Sequence, residues 1–306
     1  MKKIKIVKHK RISWYKLFQP TEKELNHLKE KFNFHPLDIE DCLEEVQRPK
    51  LDIYRSYVFL VLHLPKWNPN TQTLGRAELN VFLGPDFIII VHDKKIPLLD
   101  TLFYQAKNSY QKRTRFFKNS SYYLFYFIFN QLLLSIKPIT KQLGQIIKDL
   151  DSEILTGNYR HVLQQISVMR RNLILFQTII KPQIPVLKRL EQGKAKIVNH
   201  TYAYYWGNLV DRLRSVWEEL DDDIQLLEGL STTNESLLSY RTNEVIKILT
   251  IFSVILLPLT LLSGIYGMNI NTIPFLSSQY SFYIISLFMF IIAGVMLLFF
   301  KAKKWL

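Results

Sequence analysis

The alternation of hydrophobic and polar positions in roughly the first third of the chain predicts short strands and helices in succession. Thr21 and Glu24 have the spacing of a capping box, which predicts a helix that starts at this point. Three runs rich in β-branched and aromatic residues, each bounded by turn-forming residues, are typical of strands. These runs are residues 57–64, 79–83 and 87–91. This part of the chain is therefore predicted to form a small α/β domain.

Beyond residue 120 the strand signals disappear and helical periodicity takes their place. The pattern covers residues 122–155, 159–190 and 200–265. The last range contains no proline before it enters a strongly apolar stretch near residue 245. Such a helix would be roughly 90 Å long at about 1.5 Å per residue. A helix of that length is usually stabilised by neighbouring helices or by copies of itself.

Two apolar runs lie near the end of the chain, and residues 248–300 contain no Asp, Glu, Lys or Arg. Each run, residues 245–265 and 281–300, has the roughly 20 residues needed to cross a bilayer as a helix. Lipid offers no hydrogen-bond partner to unpaired backbone N–H and C=O groups, so we expect a helical hairpin with residues 266–280 at its tip. The predicted fold class is an α+β membrane protein. Its predicted parts are an α/β domain over residues 1–118, a helical stalk over 119–244, and a transmembrane hairpin with a basic tail over 245–306.

The formal net charge is +14, from 40 Lys and Arg against 26 Asp and Glu. Such a charge suits nucleic acid, an anionic lipid surface or the cytoplasmic side of a membrane protein, and no nucleic-acid-binding signature accompanies it. Basic residues flank the hairpin at both ends and are absent from its tip. They are Arg241, Lys247, Lys301, Lys303 and Lys304. Because positive charge stays on the cytoplasmic side, we predict a cell-membrane protein with both termini in the cytoplasm and no nucleic-acid partner.

Catalytic chemistry has no visible signature in the chain. Cys42 is the single cysteine, which excludes an internal disulfide and a CxxC metal site, and its apolar surroundings predict a small core residue. No nucleophilic triad, P-loop or metal-ligand spacing is discernible, and no apolar run follows the basic start as it would in a signal peptide. We therefore expect neither an enzyme nor a prosthetic group.

One face of the first apolar run carries small and polar residues. They recur at alternating spacings of three and four, which is the heptad seam of a left-handed helix bundle. The seam consists of Asn243, Ile246, Thr250, Ser253, Leu257, Thr260 and Gly264, with Leu249 one position away. Small and hydroxylated residues also mediate ordinary packing between membrane helices. The amide at the membrane entry favours a wet pore, in which Ile246 and Leu257 would be constrictions.

The tripeptide Gly267-Met268-Asn269 follows the seam at the predicted outer end of the helix. In isolation it indicates only a turn. In a symmetric oligomer, however, Asn269 would form a ring of amide carbonyls at the pore mouth. Mg²⁺ loses its water reluctantly, so a filter for the hydrated ion needs neutral acceptors for the hydrogen bonds of that water. We interpret the tripeptide as a selectivity filter for a hydrated divalent cation.

Tyr266-Gly267-Met268-Asn269 between two transmembrane segments, followed by a basic tail, resembles the CorA-type magnesium transporter family. Further segments extend the resemblance over nearly the whole chain. They are residues 35–41, 47–50, 57–59, 241–250, 258–260 and 303–306. The resemblance implies a funnel-shaped homopentamer in which the long helix continues into the pore and the second membrane helix surrounds it. It also implies passage of Mg²⁺, and of Co²⁺ or Ni²⁺, down the electrochemical gradient.

The resemblance also implies a regulatory site, in which carboxylates of neighbouring subunits bind cytoplasmic Mg²⁺ and hold the pore closed. Glu40 and Asp41 match the first half of that site. On the long helix, the partner position is Asn208, with Asp211 about one turn further, and another family acid falls at Asn130. Since charge sets the affinity for a hard cation, inhibition by intracellular Mg²⁺ is expected to be weaker here or to depend on other acids. A helix-end or salt-bridge role for Glu40 and Asp41 is the alternative.

Two other interpretations stay open at this point. A ZntB-type zinc transporter shares the architecture and can be coupled to protons, although the intact Gly-Met-Asn favours magnesium. A membrane-anchored cytoplasmic binding protein would use the hairpin only as an anchor, and it would not need polar residues along one helix face. The acidic run at residues 218–223 is interpreted as a solvated helix face.

Overall fold

The computed structural model describes residues 4–44, 48–154, 156, 158–193, 200–268 and 280–305. The chain divides into two compact units, Met1–Ser231 and Thr232–Leu306. A six-stranded sheet lies in the first unit. Its strands are β1 Lys5–His9, β2 Ile12–Phe18, β3 Lys50–Ile53, β4 Val58–Asn68, β5 Thr73–Leu83 and β6 Phe87–His92.

The strand order is β1-β2-β6-β5-β4-β3, and the pairs are antiparallel except for β2 with β6. The hairpin of β4 and β5 is the longest pairing, running from Val58 opposite Leu83 to Asn68 opposite Thr73. The first eight residues of β4 are all buried, which requires cover on both faces of the sheet. A continuous apolar run such as Val58–Leu62 is typical of a strand in this position.

Helices provide that cover. They are α1 Glu22–Phe32, α2 Pro36–Leu43, α3 Pro97–Asn108, α4 Tyr110–Phe117, α5 Ser121–Leu134, α6 Lys137–Ile154, α7 Tyr159–Ile180, α8 Gln183–Glu191, α9 Ala203–Tyr266 and α10 Ser281–Ala302. The predicted capping box at the start of α1 is confirmed, with Thr21 and Glu24 bonded to each other's backbone. Leu25 and Leu28 of α1 and Ile39 of α2 join the core on one face of the sheet.

The opposite face of the sheet meets α3, α5 and α7. Trp14 of β2 is fully buried, and its ring packs edge-on against Phe103 of α3 at 4.9 Å. Gln183, at the start of α8, is also fully buried. Its side chain accepts from the backbone N–H of His63 at 3.1 Å and donates to the carbonyl of His63 at 2.9 Å. This amide therefore attaches the helical part of the first unit to β4.

Among the residues that the structure describes, two helices are long and apolar enough to cross a membrane, namely α9 and α10. The apolar windows of both are almost wholly unburied within the chain, as expected for surfaces that face lipid or other copies. Aromatic side chains lie at both ends of α10, with Tyr280 and Tyr283 at its start and Trp305 just after it. Aromatic rings of this kind are enriched where a membrane helix meets the headgroups. The expected fold class is confirmed: a mixed α/β sheet domain precedes two membrane helices.

Candidate ion pathway and cation-binding residues

The predicted seam lies on the membrane part of α9, within the second unit. Every member of the seam is exposed in the single chain, with Leu257 70% and Ile246 53% exposed. The full set is Asn243, Ile246, Thr250, Ser253, Leu257, Thr260 and Gly264, and the neighbouring Leu249 is 66% exposed. Exposure alone does not distinguish the seam, because most large residues of this segment are exposed as well.

The position of the seam around the helix is more informative. The less exposed positions of the same segment form a second stripe, which includes Lys247, Ile251, Ile255, Pro258, Leu262 and Tyr266. Ile251 is the most buried of these, at 4% exposed. At about 100° per residue, the two stripes lie roughly 150° apart around the helix. The seam is therefore turned away from the face that the chain itself covers.

Hydroxyl groups of the seam bond back to their own helix. Thr250, Ser253 and Thr260 each donate to the backbone carbonyl four residues earlier, at 2.8, 2.9 and 2.8 Å. This bond satisfies the hydroxyl proton inside an apolar segment, where an unpaired donor would be costly. The oxygen lone pairs remain available on the seam.

A groove of about 690 Å³ follows the half of the seam that is nearer to Gly267. Its lining includes Ser253, Leu257, Thr260 and Gly264. A Cβ atom added at Gly264 would meet nothing within 4 Å, so this position is open. Leu257 is the largest seam residue in the groove, which makes it the candidate constriction.

The predicted filter lies at the end of α9, where the helix terminates. The N–H of Gly267 bonds to the carbonyl of Ser263 at 2.9 Å, and the N–H of Met268 bonds to that of Ile265 at 3.2 Å. Met268 is 51% exposed. Asn269 lies outside the described residues, so its proposed role rests on the sequence.

At the candidate regulatory site, Asp41 already has a cationic partner. Lys50 Nζ lies 2.5 Å from Asp41 Oδ2 and 3.1 Å from Asp52 Oδ2. Burial alone would lower the pKa of Lys50, but the hydrogen bonds to Asp41 and Asp52 outweigh burial and raise it. Lys50 is therefore charged at neutral pH. Glu40, one position before Asp41, is exposed on α2.

Asp38 completes a carboxylate cluster with Asp41 and Asp52, in which one oxygen of each lies within 4.8 Å of the others. Asp38 is 1% exposed and accepts hydrogen bonds from the hydroxyls of Tyr54 at 2.9 Å and Tyr57 at 2.6 Å. Burial raises the pKa of Asp38, and the two hydroxyl bonds partly oppose that rise. The tyrosines and Lys50 thus supply partners to all three carboxylates of this cluster.

The remaining predicted regulatory residues lie elsewhere on the first unit. Asn208 on α9 is exposed, and its Oδ1 accepts from Tyr126 Oη at 3.3 Å and from Arg212 Nε at 3.2 Å. Asp211 is exposed and lies 3.9 Å from Arg214. No hydrogen bond or ion pair between described residues joins Glu40 or Asp41 to Asn208 or Asp211. Within one chain the two halves of the predicted site are therefore not joined by a hydrogen bond or an ion pair between described residues.

A protein-family model for the CorA-like Mg²⁺ transporter protein matches residues 9–303. The chain belongs to this family. Its members are transporters of divalent metal ions, so the protein is a membrane transporter and not an enzyme. The family assignment predicted from Tyr266-Gly267-Met268-Asn269 and the segments upstream of it is confirmed.

Similarity to individual proteins extends over most of the chain. The cobalt/magnesium transport protein CorA of Thermotoga maritima is 28% identical, over 90% of this chain and 78% of its own. The zinc transport protein ZntB of Pectobacterium atrosepticum is 22% identical, over 86% of this chain and 78% of its own. The complete structure of the CorA magnesium transporter from Methanocaldococcus jannaschii superposes with a TM-score of 0.84 at 20% identity, covering 97% of this chain and 92% of that one. This superposition shows that the CorA fold is shared.

The acidic run of this CorA-family chain is only partly a solvated helix face. Glu218, Glu219 and Asp222 are exposed, but Asp223 is half-buried and its Oδ2 has no hydrogen-bond partner among the described residues. Burial raises the pKa of Asp223 to about 6, and the charges of Glu219 and Asp222 add to the rise. Spacing along the helix did not reveal that Asp223 faces inward near Gly144 of α6.

Asp223→Asn is expected to stabilise the protein at neutral pH. The folded state binds the Asp223 proton more tightly than the unfolded chain, so this carboxyl contributes stability at low pH that is lost as pH rises through about 6. The uncharged amide avoids that loss, which is worth about 1–2 kcal/mol for a half-buried group. Thermal unfolding in detergent at about pH 5 and about pH 7.5 measures the effect. A gain in stability that is equal at both pH values would contradict the raised pKa of Asp223. The matched control is Asp222→Asn, at an exposed position next to Asp223.

Proposed function

We propose that the protein carries hydrated Mg²⁺, and also Co²⁺ or Ni²⁺, into the cytoplasm through the central pore of a homopentamer. The supporting observation is the seam of α9, which is small and polar and turned away from the face that the chain covers. Polar side chains gain no stabilisation from contact with lipid, and the seam carries four of them: Asn243, Thr250, Ser253 and Thr260. In a water-filled pore, the oxygen atoms of such side chains accept hydrogen bonds from the water around the ion.

Several copies are needed because two membrane helices are too few to enclose a path. In the proposed assembly each copy contributes its seam to the pore lining, with Ile246, Leu249 and Leu257 as apolar constrictions. Asn269 of each copy would join a ring of carbonyls at the outer mouth, positioned by Gly267 and Met268. Membrane lipid surrounds the assembly, and both termini lie in the cytoplasm because the basic residues flank the hairpin.

Inhibition by cytoplasmic Mg²⁺ is proposed to be weak in this protein. Lys50 lies against Asp41 at 2.5 Å, so a divalent ion that binds Asp41 has to displace an ammonium group. At the partner position, Asn208 supplies a neutral oxygen that already accepts from Arg212. Asp211 and Glu40 remain as exposed acids that can contribute charge. The ammonium group beside Asp41 and the neutral side chain at position 208 both lower the affinity of a regulatory Mg²⁺ site.

Flux measurements on liposomes containing the purified protein test the proposed function. Mg²⁺ entry should follow an imposed membrane potential, should not need a proton gradient, and should persist when Mg²⁺ is present on the cytoplasmic side. Flux of Zn²⁺ that requires a proton gradient would instead favour a ZntB-like transporter. Absence of any divalent flux from well-incorporated protein would reject the pore and leave the hairpin as an anchor.

Leu257→Ala is expected to raise Mg²⁺ flux several-fold. Leu257 is 70% exposed in the groove along the seam, and truncation would widen the constriction and allow water to wet it. Leu262→Ala is the matched control, since Leu262 is the same residue type on the covered face. An equal rise in both variants would show that the effect comes from looser helix packing rather than from a gate.

A further inference from the structure

A polar cavity of about 490 Å³ lies beside α2, at the edge of a sheet face that is otherwise apolar. Its lining includes Cys42 of α2, Glu78 and Asn80 of β5, and Asp93 just after β6. Glu78 and Asn80 are 6% and 4% exposed. Buried polar side chains normally have a complete set of partners, so their presence on this strand requires an explanation.

Asn80 lacks one of its partners. Its Nδ2 donates to Glu78 Oε1 at 2.9 Å, which fixes the orientation of the amide because a carboxylate accepts but does not donate. Its Oδ1 is buried and has no hydrogen-bond partner among the described residues. Asn80 thus holds an unpaired amide oxygen beside a cavity that is also lined by a thiol and a carboxylate. A cation is the species that all three groups would bind.

The electrostatics of the cavity point in the same direction. The carboxylates of Asp38, Asp41 and Glu78 lie near enough to Cys42 to interact with it electrostatically. The same negative charges attract a divalent cation. Behind Glu78, the Nε2 of the buried His63 lies 3.5 Å from Oε2, at ion-pair distance without hydrogen-bond geometry.

We propose that this cavity binds a transition-metal ion such as Co²⁺, Ni²⁺ or Zn²⁺ through the Cys42 thiolate, the Glu78 carboxylate and the Asn80 amide oxygen. One thiolate among oxygen donors favours these borderline ions over Mg²⁺, which prefers oxygen alone. On binding, a metal–sulfur bond forms and the thiol proton passes to solvent. The site lies in the first unit and does not depend on the proposed pore.

Cobalt titration of the full-length protein in detergent tests this proposal. Cys42 is the single cysteine of the chain, so a thiolate-to-Co²⁺ charge-transfer absorption in the near ultraviolet can only report this residue. We expect the band to saturate at one Co²⁺ per chain and to survive an equal concentration of Mg²⁺. Cys42→Ser should abolish it, and Glu78→Gln should weaken Co²⁺ binding roughly 10- to 100-fold. Glu30→Gln, an exposed glutamate on α1, should leave it unchanged.

A second measurement needs no substitution and therefore does not depend on whether the variants fold. Zn²⁺ should slow the reaction of Cys42 with a thiol reagent at least tenfold, a difference of about 1.4 kcal/mol, whereas Mg²⁺ should not. Absence of the cobalt band in the native protein would overturn the proposal. Displacement of Co²⁺ by equal Mg²⁺ would also overturn it, because it would indicate binding to the carboxylates alone.

Discussion

Asn269→Ala should reduce Mg²⁺ flux through the reconstituted protein at least about 100-fold while leaving assembly intact. The proposed ring supplies one amide carbonyl per copy to the water held by the ion. Each hydrogen bond of this kind is worth about 1 kcal/mol net, so losing a whole ring removes several kcal/mol of stabilisation at the pore mouth. The measurement is Mg²⁺ entry into liposomes at a fixed membrane potential, and size-exclusion chromatography reports the oligomer.

Asn243→Ala provides the comparison for this variant. Asn243 is also an asparagine of the proposed pore helix, but it lies at the opposite end of the seam and is exposed. Its truncation should change the flux far less than loss of the filter amide. Wild-type flux and selectivity in Asn269→Ala would reject the filter assignment, whereas a loss of the oligomer would show that Asn269 has a structural role instead.

Asp38→Ala is expected to lower the free energy of unfolding by about 3 kcal/mol. Asp38 is 1% exposed and bonds to the hydroxyls of Tyr54 and Tyr57. Tyr57 Oη in turn accepts from the N–H of His35, immediately before α2. Truncation would leave two hydroxyl donors without an acceptor and would loosen the start of the helix that carries Asp41. Thermal or denaturant unfolding of the purified protein measures the loss.

Two variants control this prediction. Asp38→Asn keeps one oxygen acceptor and the side-chain volume, so it should lose much less stability than Asp38→Ala. Asp52→Ala removes a more exposed member of the same carboxylate cluster, whose side chain is 39% exposed, and it should be nearly neutral. If all three variants lost the same stability, the effect would come from charge in the cluster rather than from the hydroxyl bonds.

Local patterns were sufficient for much of the fold. The capping box predicted the start of α1, and the apolar runs predicted β4, β6 and the C-terminal half of β5. The two membrane helices followed from apolar length alone, since lipid imposes a helix on such runs. These features depend on residues close together in sequence, and their physical causes are local.

Features that depend on distant contacts were missed. Neither β2 nor β3 was predicted, because Lys16 interrupts the apolar pattern of β2 and because β3 has only four residues. Lys16 is buried in β2 and pairs with Asp100 of α3, which no local pattern shows. The same holds for the pairing of Lys50 with Asp41 and for the bonds of Gln183 to His63, 120 residues away. The three-part division of the chain and the pore residues stay predictions.

The back-bonded hydroxyls of the seam have a consequence for the sign of the ions that can pass. Thr250, Ser253 and Thr260 each commit their proton to a carbonyl of their own helix. Toward the proposed pore they therefore present lone pairs and no donors. Chloride or phosphate would find no hydroxyl donor at these three positions to replace its hydration, whereas the water around a cation finds acceptors there. Anion exclusion would then require no carboxylate in the membrane, consistent with the uncharged stretch from residue 248 to residue 300.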